Sequence, residues 1–249
     1  MTYSLEIKNI SYSYKDKLVL DDVSFNVRNG EFVGIIGPNG SGKSTLIKII
    51  VGILKPFKGE VLVFGEDIAD FKKKYMLGYV AQHVSYFNQG FPATVYEVVS
   101  LGLICKKRFK RIAKDEVPKI DEAIEKVGLS SFKNVNLNKL SLGQRQRVFI
   151  ARALVTNPKM FILDEPTVGV DLNSVRSFFD LLKELQTQGC TIILVTHDIG
   201  VVTTCIQRII CLNKRLFFCG LSEEFVENKK DILNKLYNNK DIQIIDHGH

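Results

Sequence analysis

Nine consecutive residues carry the clearest chemistry in this chain: Gly37, Pro38, Asn39, Gly40, Ser41, Gly42, Lys43, Ser44 and Thr45. They fit the pattern G-x-x-x-x-G-K-S. Glycines in such a loop let successive backbone N–H groups converge on phosphate oxygens. Lys43 brings an ammonium to the β- and γ-phosphates, and the Ser44 hydroxyl suits Mg²⁺. The expected ligand is a nucleoside triphosphate. A glycine-rich turn matching by chance is the competing explanation, and the context argues against it. A strand-like apolar run, residues 32–36, precedes the loop. A helix-like run, residues 46–54, follows and adds its positive N-terminus.

Two further groups add chemistry. Phe161-Ile162-Leu163-Asp164-Glu165 is an apolar run ending in two carboxylates. Beside a phosphate loop, Asp164 is placed to hold Mg²⁺ through water and Glu165 to polarise an attacking water. Leu140-Ser141-Leu142-Gly143-Gln144 stands before Arg145-Gln146-Arg147. A helix N-cap is enough to explain Ser141. The adjacent Gly143-Gln144 pair is not explained that way, and free N–H groups at a helix start can also bind phosphate.

These groups need elements to hold them. The first third of the chain reads as strands, with Val23, Phe25 and Val27 alternating before an Asn29-Gly30 turn. Residues 60–63 and 77–80 are strand-like. Residues 94–103, 117–127 and 141–155 read as helices, with Pro118 near the start of the second and Pro158 closing the third. The last third returns to β/α alternation: a strand at 160–163, a helix at 174–188 stopped by Gly189, and a β-branched strand at 191–195. The expected fold is α/β, a P-loop NTPase core with an antiparallel β lobe and an inserted α-helical subdomain at about residues 83–155. The expected division is one domain over residues 3–220 and a polar, helix-prone tail over residues 221–249.

At 249 residues and 45% hydrophobic content the chain can bury a sizeable core. No apolar run approaches the ~18 residues of a membrane span, and the N-terminus lacks a signal-peptide core. A cytoplasmic protein, peripheral to a membrane if it works at one, is the expectation. The net charge of +7 gathers at residues 72–74 and 106–114. A solvated basic face explains this better than nucleic acid, because aromatic residues do not interleave regularly with the charges. The five cysteines, Cys105, Cys190, Cys205, Cys211 and Cys219, show no C-x-x-C pair and read as reduced and mostly buried.

Taken together, the motifs resemble the nucleotide-binding subunit of ATP-binding cassette transporters. The phosphate loop at 37–45, Gln82 after an apolar strand, LSLGQ at 140–144, ILDEP at 162–166 and Thr196-His197-Asp198 stand in that family's order. The resemblance implies Tyr14 stacked on adenine, and Ser44, Gln82 and Asp164 around Mg²⁺. It implies Glu165 and His197 as catalytic residues, His197 on the γ-phosphate. It also implies two cassettes packed head to tail, with Ser141, Gly143 and Gln144 of one closing the ATP site of the other and Asp171 at the dimer contact. Leu142 departs from the usual Leu-Ser-Gly-Gly-Gln and points to altered ATPase activity. The family also implies an integral membrane permease as partner and, indirectly, a substrate-binding protein. Residues 91–99 stand where the family meets its permease, so exposed apolar groups are expected there, with a helix start capped by Thr94 as the plainer explanation. Softer similarities, at residues 91–95, 165–171 and 211–214, favour ATPases of zinc, manganese or iron import. Iron-chelate or cobalamin import remains open, as does a non-transport cassette acting on nucleic acid, although no nucleic acid is expected.

Overall fold

A computed structural model describes residues 2–82, 92–104, 113–166, 172–197 and 205–237. Three strands set the architecture: β3 (Phe32–Ile36), β7 (Met160–Asp164) and β8 (Thr191–Val195), each buried at every residue. A strand can be apolar throughout only if both faces of its sheet are covered. They lie in a six-stranded sheet of order β10-β9-β3-β8-β7-β6, with β6 spanning Leu77–Val80, β9 Arg208–Asn213 and β10 Arg215–Leu221. All neighbours are parallel except the β9–β10 edge hairpin.

Alternation along each strand feeds two separate cores. Val33, Ile35, Met160 and Ile162 point to one side. There they meet α1 (Lys43–Ile50) and a four-stranded antiparallel sheet. That sheet has the order β2-β1-β4-β5, from β1 (Tyr3–Tyr14), β2 (Lys17–Arg28), β4 (Lys58–Val63) and β5 (Glu66–Asp67). Phe32, Ile36, Phe161 and Leu163 point to the other side. They meet α2 (Val95–Ile104), α3 (Val117–Lys126), α4 (Leu142–Leu154) and α5 (Leu172–Thr187). The helical insertion therefore shares one continuous core with the sheet. Among the described residues no helix is long and apolar enough to cross a membrane.

The structure departs from the sequence expectations in several places. The β9–β10 hairpin was not foreseen. Residues after Leu221 form α6 (Ser222–Glu227) and α7 (Lys229–Leu236), which insert Phe225, Leu233 and Leu236 into the helical-side core. Residues 92–99 present less apolar surface than expected, with Pro92 exposed and Tyr96 half-buried. Ala93, Val95, Val98 and Val99 are buried. Thr94 and Glu97 form a capping box, with Thr94 N–H donating to Glu97 Oε2 at 2.8 Å and Glu97 N–H to Thr94 Oγ1 at 3.2 Å. The helix start capped by Thr94 is present, and Phe91 lies outside the described residues. Of the four described cysteines only Cys190 and Cys211 are buried, with Cys205 and Cys219 half-buried, so "mostly buried" was too strong. Burial pushes the Cys190 and Cys211 thiols up to about 12, which keeps them unreactive.

Candidate nucleotide site

Parallel strands bring their carboxyl ends to one edge, and ligands of open α/β sheets bind beyond that edge. Here β3, β8 and β7 are neighbours, so the loop after Ile36, the residues after Val195 and the pair Asp164-Glu165 meet there. The meeting is held by the backbone: Glu165 N–H donates to Val195 O at 2.9 Å and Thr196 N–H to Ile35 O at 3.2 Å. Glu165 has a φ of 49°. That left-handed conformation is uncommon for a non-glycine residue and ends the strand by turning the carboxylate out of it.

The resulting cleft holds about 810 Å³ and is lined by the whole loop from Gly37 to Thr45, by Tyr14, Lys17 and Val19, by Gln82, Glu165 and His197, and by Tyr237. Two glycines of the loop have no alternative. A Cβ on Gly37 would collide with the Leu212 carbonyl oxygen. Gly42 has a φ of 101°, and a Cβ there would lie 2.7 Å from Leu20 Cδ2. Lys43 curls back so that Nζ donates to Gly37 O at 2.7 Å and Pro38 O at 3.0 Å. Its burial lowers its pKa, opposed by the charges of Glu165 and Asp164. The Ser41 hydroxyl is buried without a hydrogen-bond partner among the described residues.

Asp164 lies behind the loop, 2% exposed. Burial raises its pKa, while a hydrogen bond with Ser44 lowers it. Its Oδ1 is buried and has no hydrogen-bond partner among the described residues. A buried carboxylate oxygen left without a partner costs roughly 1–3 kcal/mol or more. A hard divalent cation held by oxygen ligands would satisfy it. Ser44 and Asp164 therefore suit Mg²⁺. Glu165 sits at the front. Gln82 Nε2 donates to Glu165 Oε2 at 2.8 Å, and His197 Nδ1 lies 3.6 Å from the same oxygen. Glu165 Oε1 has neither of these two contacts.

Residues 20–168 match the sequence profile of the ABC transporter family. The chain belongs to the ABC transporter family. It is 47% identical over 227 residues to the zinc uptake system ATP-binding protein ZurA of Listeria innocua, covering 90% of this chain and 88% of that protein. It is 39% identical to the manganese transport system ATP-binding protein MntB of the same species, covering 90% and 93%. Among solved structures it is similar to the ATP-binding cassette MJ0796, a dimer in a post-hydrolysis state bound to ADP and Pi. That likeness has a TM-score of 0.78 at 34% identity and covers 88% of this chain and 98% of that one. The fold is that of the ABC ATPases.

Not every ABC motif reaches the cleft. Ser141 caps α4, its hydroxyl accepting from Gln144 N–H at 3.2 Å while Gln144 Oε1 accepts from Ser141 N–H at 2.9 Å. Leu142 is the first residue of that helix. Ser141, Gly143 and Gln144 are absent from the described lining of the cleft, so the chain does not close the site with its own signature. Asp171 lies outside the described residues. Three lining residues escaped the sequence reading: Lys17, Val19 and Tyr237. The first could have been found, because a tight hairpin places Lys17 opposite Tyr14.

Tyr14 stands at the cleft mouth, 45% exposed, edge-on to Tyr12 at 5.0 Å between ring centroids. A partly exposed ring at that place suits base stacking. Tyr14→Ala is expected to weaken ATP binding about fivefold, from roughly 1 kcal/mol of lost stacking. Tyr14→Phe should bind within about twofold of the parent, since stacking needs the ring and not the hydroxyl. Isothermal titration calorimetry checks both. Loss through Tyr12→Ala with Tyr14→Ala silent would assign the wrong ring.

Proposed function

We propose that this chain is the ATP-hydrolysing subunit of an importer for a divalent transition metal, zinc or manganese, acting with a separate membrane permease. The observation that carries the ATPase part is the convergence of the phosphate loop, Glu165 and His197 in one cleft, with Asp164 buried beside Ser44. In the proposed roles Lys43 and the loop amides hold the phosphates, and Ser44 and Asp164, with Gln82 nearby, hold Mg²⁺. Glu165 accepts the proton of the attacking water, and His197 contacts the γ-phosphate. Mg²⁺ supplies charge neutralisation on the phosphates when bound.

The cleft is open, and the signature lies outside it. A second copy packed head to tail would bring Ser141, Gly143 and Gln144 onto the ATP of the first, with Asp171 at the contact. This makes ATP the ligand that biases a two-state dimer. Exposed Leu101 and Ile104 on α2, and Ile53 and Phe57 after α1, are apolar surface that a permease can cover. The location that follows is the cytoplasmic face of a membrane, with a substrate-binding protein across it. The metal assignment rests on similarity to proteins named for zinc and manganese transport.

Uptake of radioactive zinc and manganese by cells lacking this chain tests the proposal. Re-expression of the parent chain should restore uptake of one of them, and Lys43→Ala should not. Unchanged metal uptake, together with a defect in iron-chelate or cobalamin uptake, would replace the substrate assignment.

A further inference from the structure

Tyr237 lines the nucleotide cleft, although it follows the last helix of the described chain and belongs to no motif. How it gets there is visible in one turn. Asn213 ends β9, and its side-chain amide donates to Leu236 O at 2.9 Å. The next residue, Lys214, donates its N–H to Ser41 O of the phosphate loop at 2.8 Å. The Lys214 carbonyl in turn accepts from Asp21 N–H at 2.8 Å. Lys214 has a φ of 60°, and this bend lets neighbouring residues reach in different directions. A single turn thus grips the loop, β2 and the end of α7. Leu233 and Leu236 anchor α7 in the core, and Tyr237 N–H continues the helix by donating to Leu233 O at 2.9 Å. The Tyr237 ring is delivered half-buried to the cleft wall. Burial, and then Cys211, raise its pKa, so the phenol stays a neutral donor near neutral pH.

We propose that Tyr237 is a nucleotide-contacting residue, its hydroxyl donating to an oxygen of the bound nucleotide, and that Asn213 is the positioning residue that holds it there. The inference rests on the reading of the cleft as an ATP site. Its consequence is that α7 belongs to the binding machinery rather than to a passive tail.

The experiment is calorimetry of a non-hydrolysable ATP analogue with Mg²⁺, at protein concentrations where the chain is monomeric. The variants are Tyr237→Phe, Tyr237→Ala, Asn213→Ala and the double variant Asn213→Ala/Tyr237→Ala, with unfolding temperatures measured alongside. Loss of one neutral hydrogen bond should weaken Tyr237→Phe about three- to fivefold while its ring keeps packing. Tyr237→Ala should lose about tenfold. Asn213→Ala should lose affinity too, and the double variant should be no worse than Tyr237→Ala, because both changes act through one ring. A purely structural role would lower unfolding temperatures and leave the affinities unchanged. Lys43→Ala serves as the reference. If it abolishes binding while both Tyr237 variants bind like the parent, the inference falls and the cleft reading stands. If Lys43→Ala itself binds normally, both fall. Should Tyr237→Ala fail to fold, normal affinity in Tyr237→Phe still overturns the inference. A defect confined to dimer formation overturns it as well.

Discussion

Lys43→Ala is expected to lose ATP binding by roughly 100-fold or more. The side chain is 5% exposed, and its ammonium is held at the loop carbonyls of Gly37 and Pro38. Phosphate oxygens arriving in the cleft exchange those neutral contacts for charged ones. Hydrogen bonds to charged groups are worth roughly 1.5–3 kcal/mol each, and the ammonium can make two. The fold should survive, because the apolar side chains of α1, such as Leu46, Ile47 and Ile50, remain packed in the core between the two sheets. Calorimetry and a circular dichroism spectrum check both halves. Parent-like affinity in this variant would remove the basis for the site.

Glu165→Gln separates binding from chemistry. The amide cannot accept a proton, so hydrolysis should fall about 100- to 10,000-fold. ATP should still bind, because the loop and Mg²⁺ supply most of the attachment. The contact with Gln82, 2.8 Å in the parent, can be kept by the amide oxygen. Stalled hydrolysis should leave an ATP-bound dimer that size-exclusion chromatography detects and that EDTA dissolves. Leu142 stands at the first position of α4, beside the Ser141 cap that would approach the second copy's γ-phosphate. A side chain there restrains close backbone approach, so Glu165→Gln/Leu142→Gly should dimerise more readily than Glu165→Gln alone. If both stay monomeric in saturating ATP, even alongside the permease, the head-to-tail arrangement is wrong for this chain.

The parts of this molecule legible from sequence are those whose constraint is local. Strands β3, β7 and β8 read as near-continuous apolar runs because both faces of their sheet are covered. Their ends carry the loop, Asp164-Glu165 and His197, so finding the strands also located most of the cleft. The β9–β10 hairpin was hard to read because the buried run of β9, Ile209 to Leu212, is followed after the Lys214 bend by β10, none of whose residues is fully buried. The burial of Val95, Val98 and Val99 was legible in principle, since spacing of three and four marks a core-facing helix side. The expectation of exposure came from resemblance and not from that spacing. Tyr237 left no trace in sequence, because contacts distant in the chain, among them that of Asn213 with Leu236 and the core anchoring of Leu233 and Leu236, bring it to the cleft. Ser141 and Gln144 satisfy each other within one chain, so no single chain can reveal what else they touch.

The strand order has a consequence for the order in which the protein is made. β3, whose end becomes the phosphate loop, pairs with β8 and β9 on its two sides, both synthesised long after it. The loop itself leans on Leu212 and Lys214. A chain still emerging from the ribosome therefore carries the complete motif from Gly37 to Thr45 with none of the neighbours that shape it. Such distant pairing is slow to form, and it leaves an apolar strand with both edges open in the meantime. The nascent chain's exposure to mispairing therefore lasts until β8 and β9 have been delivered.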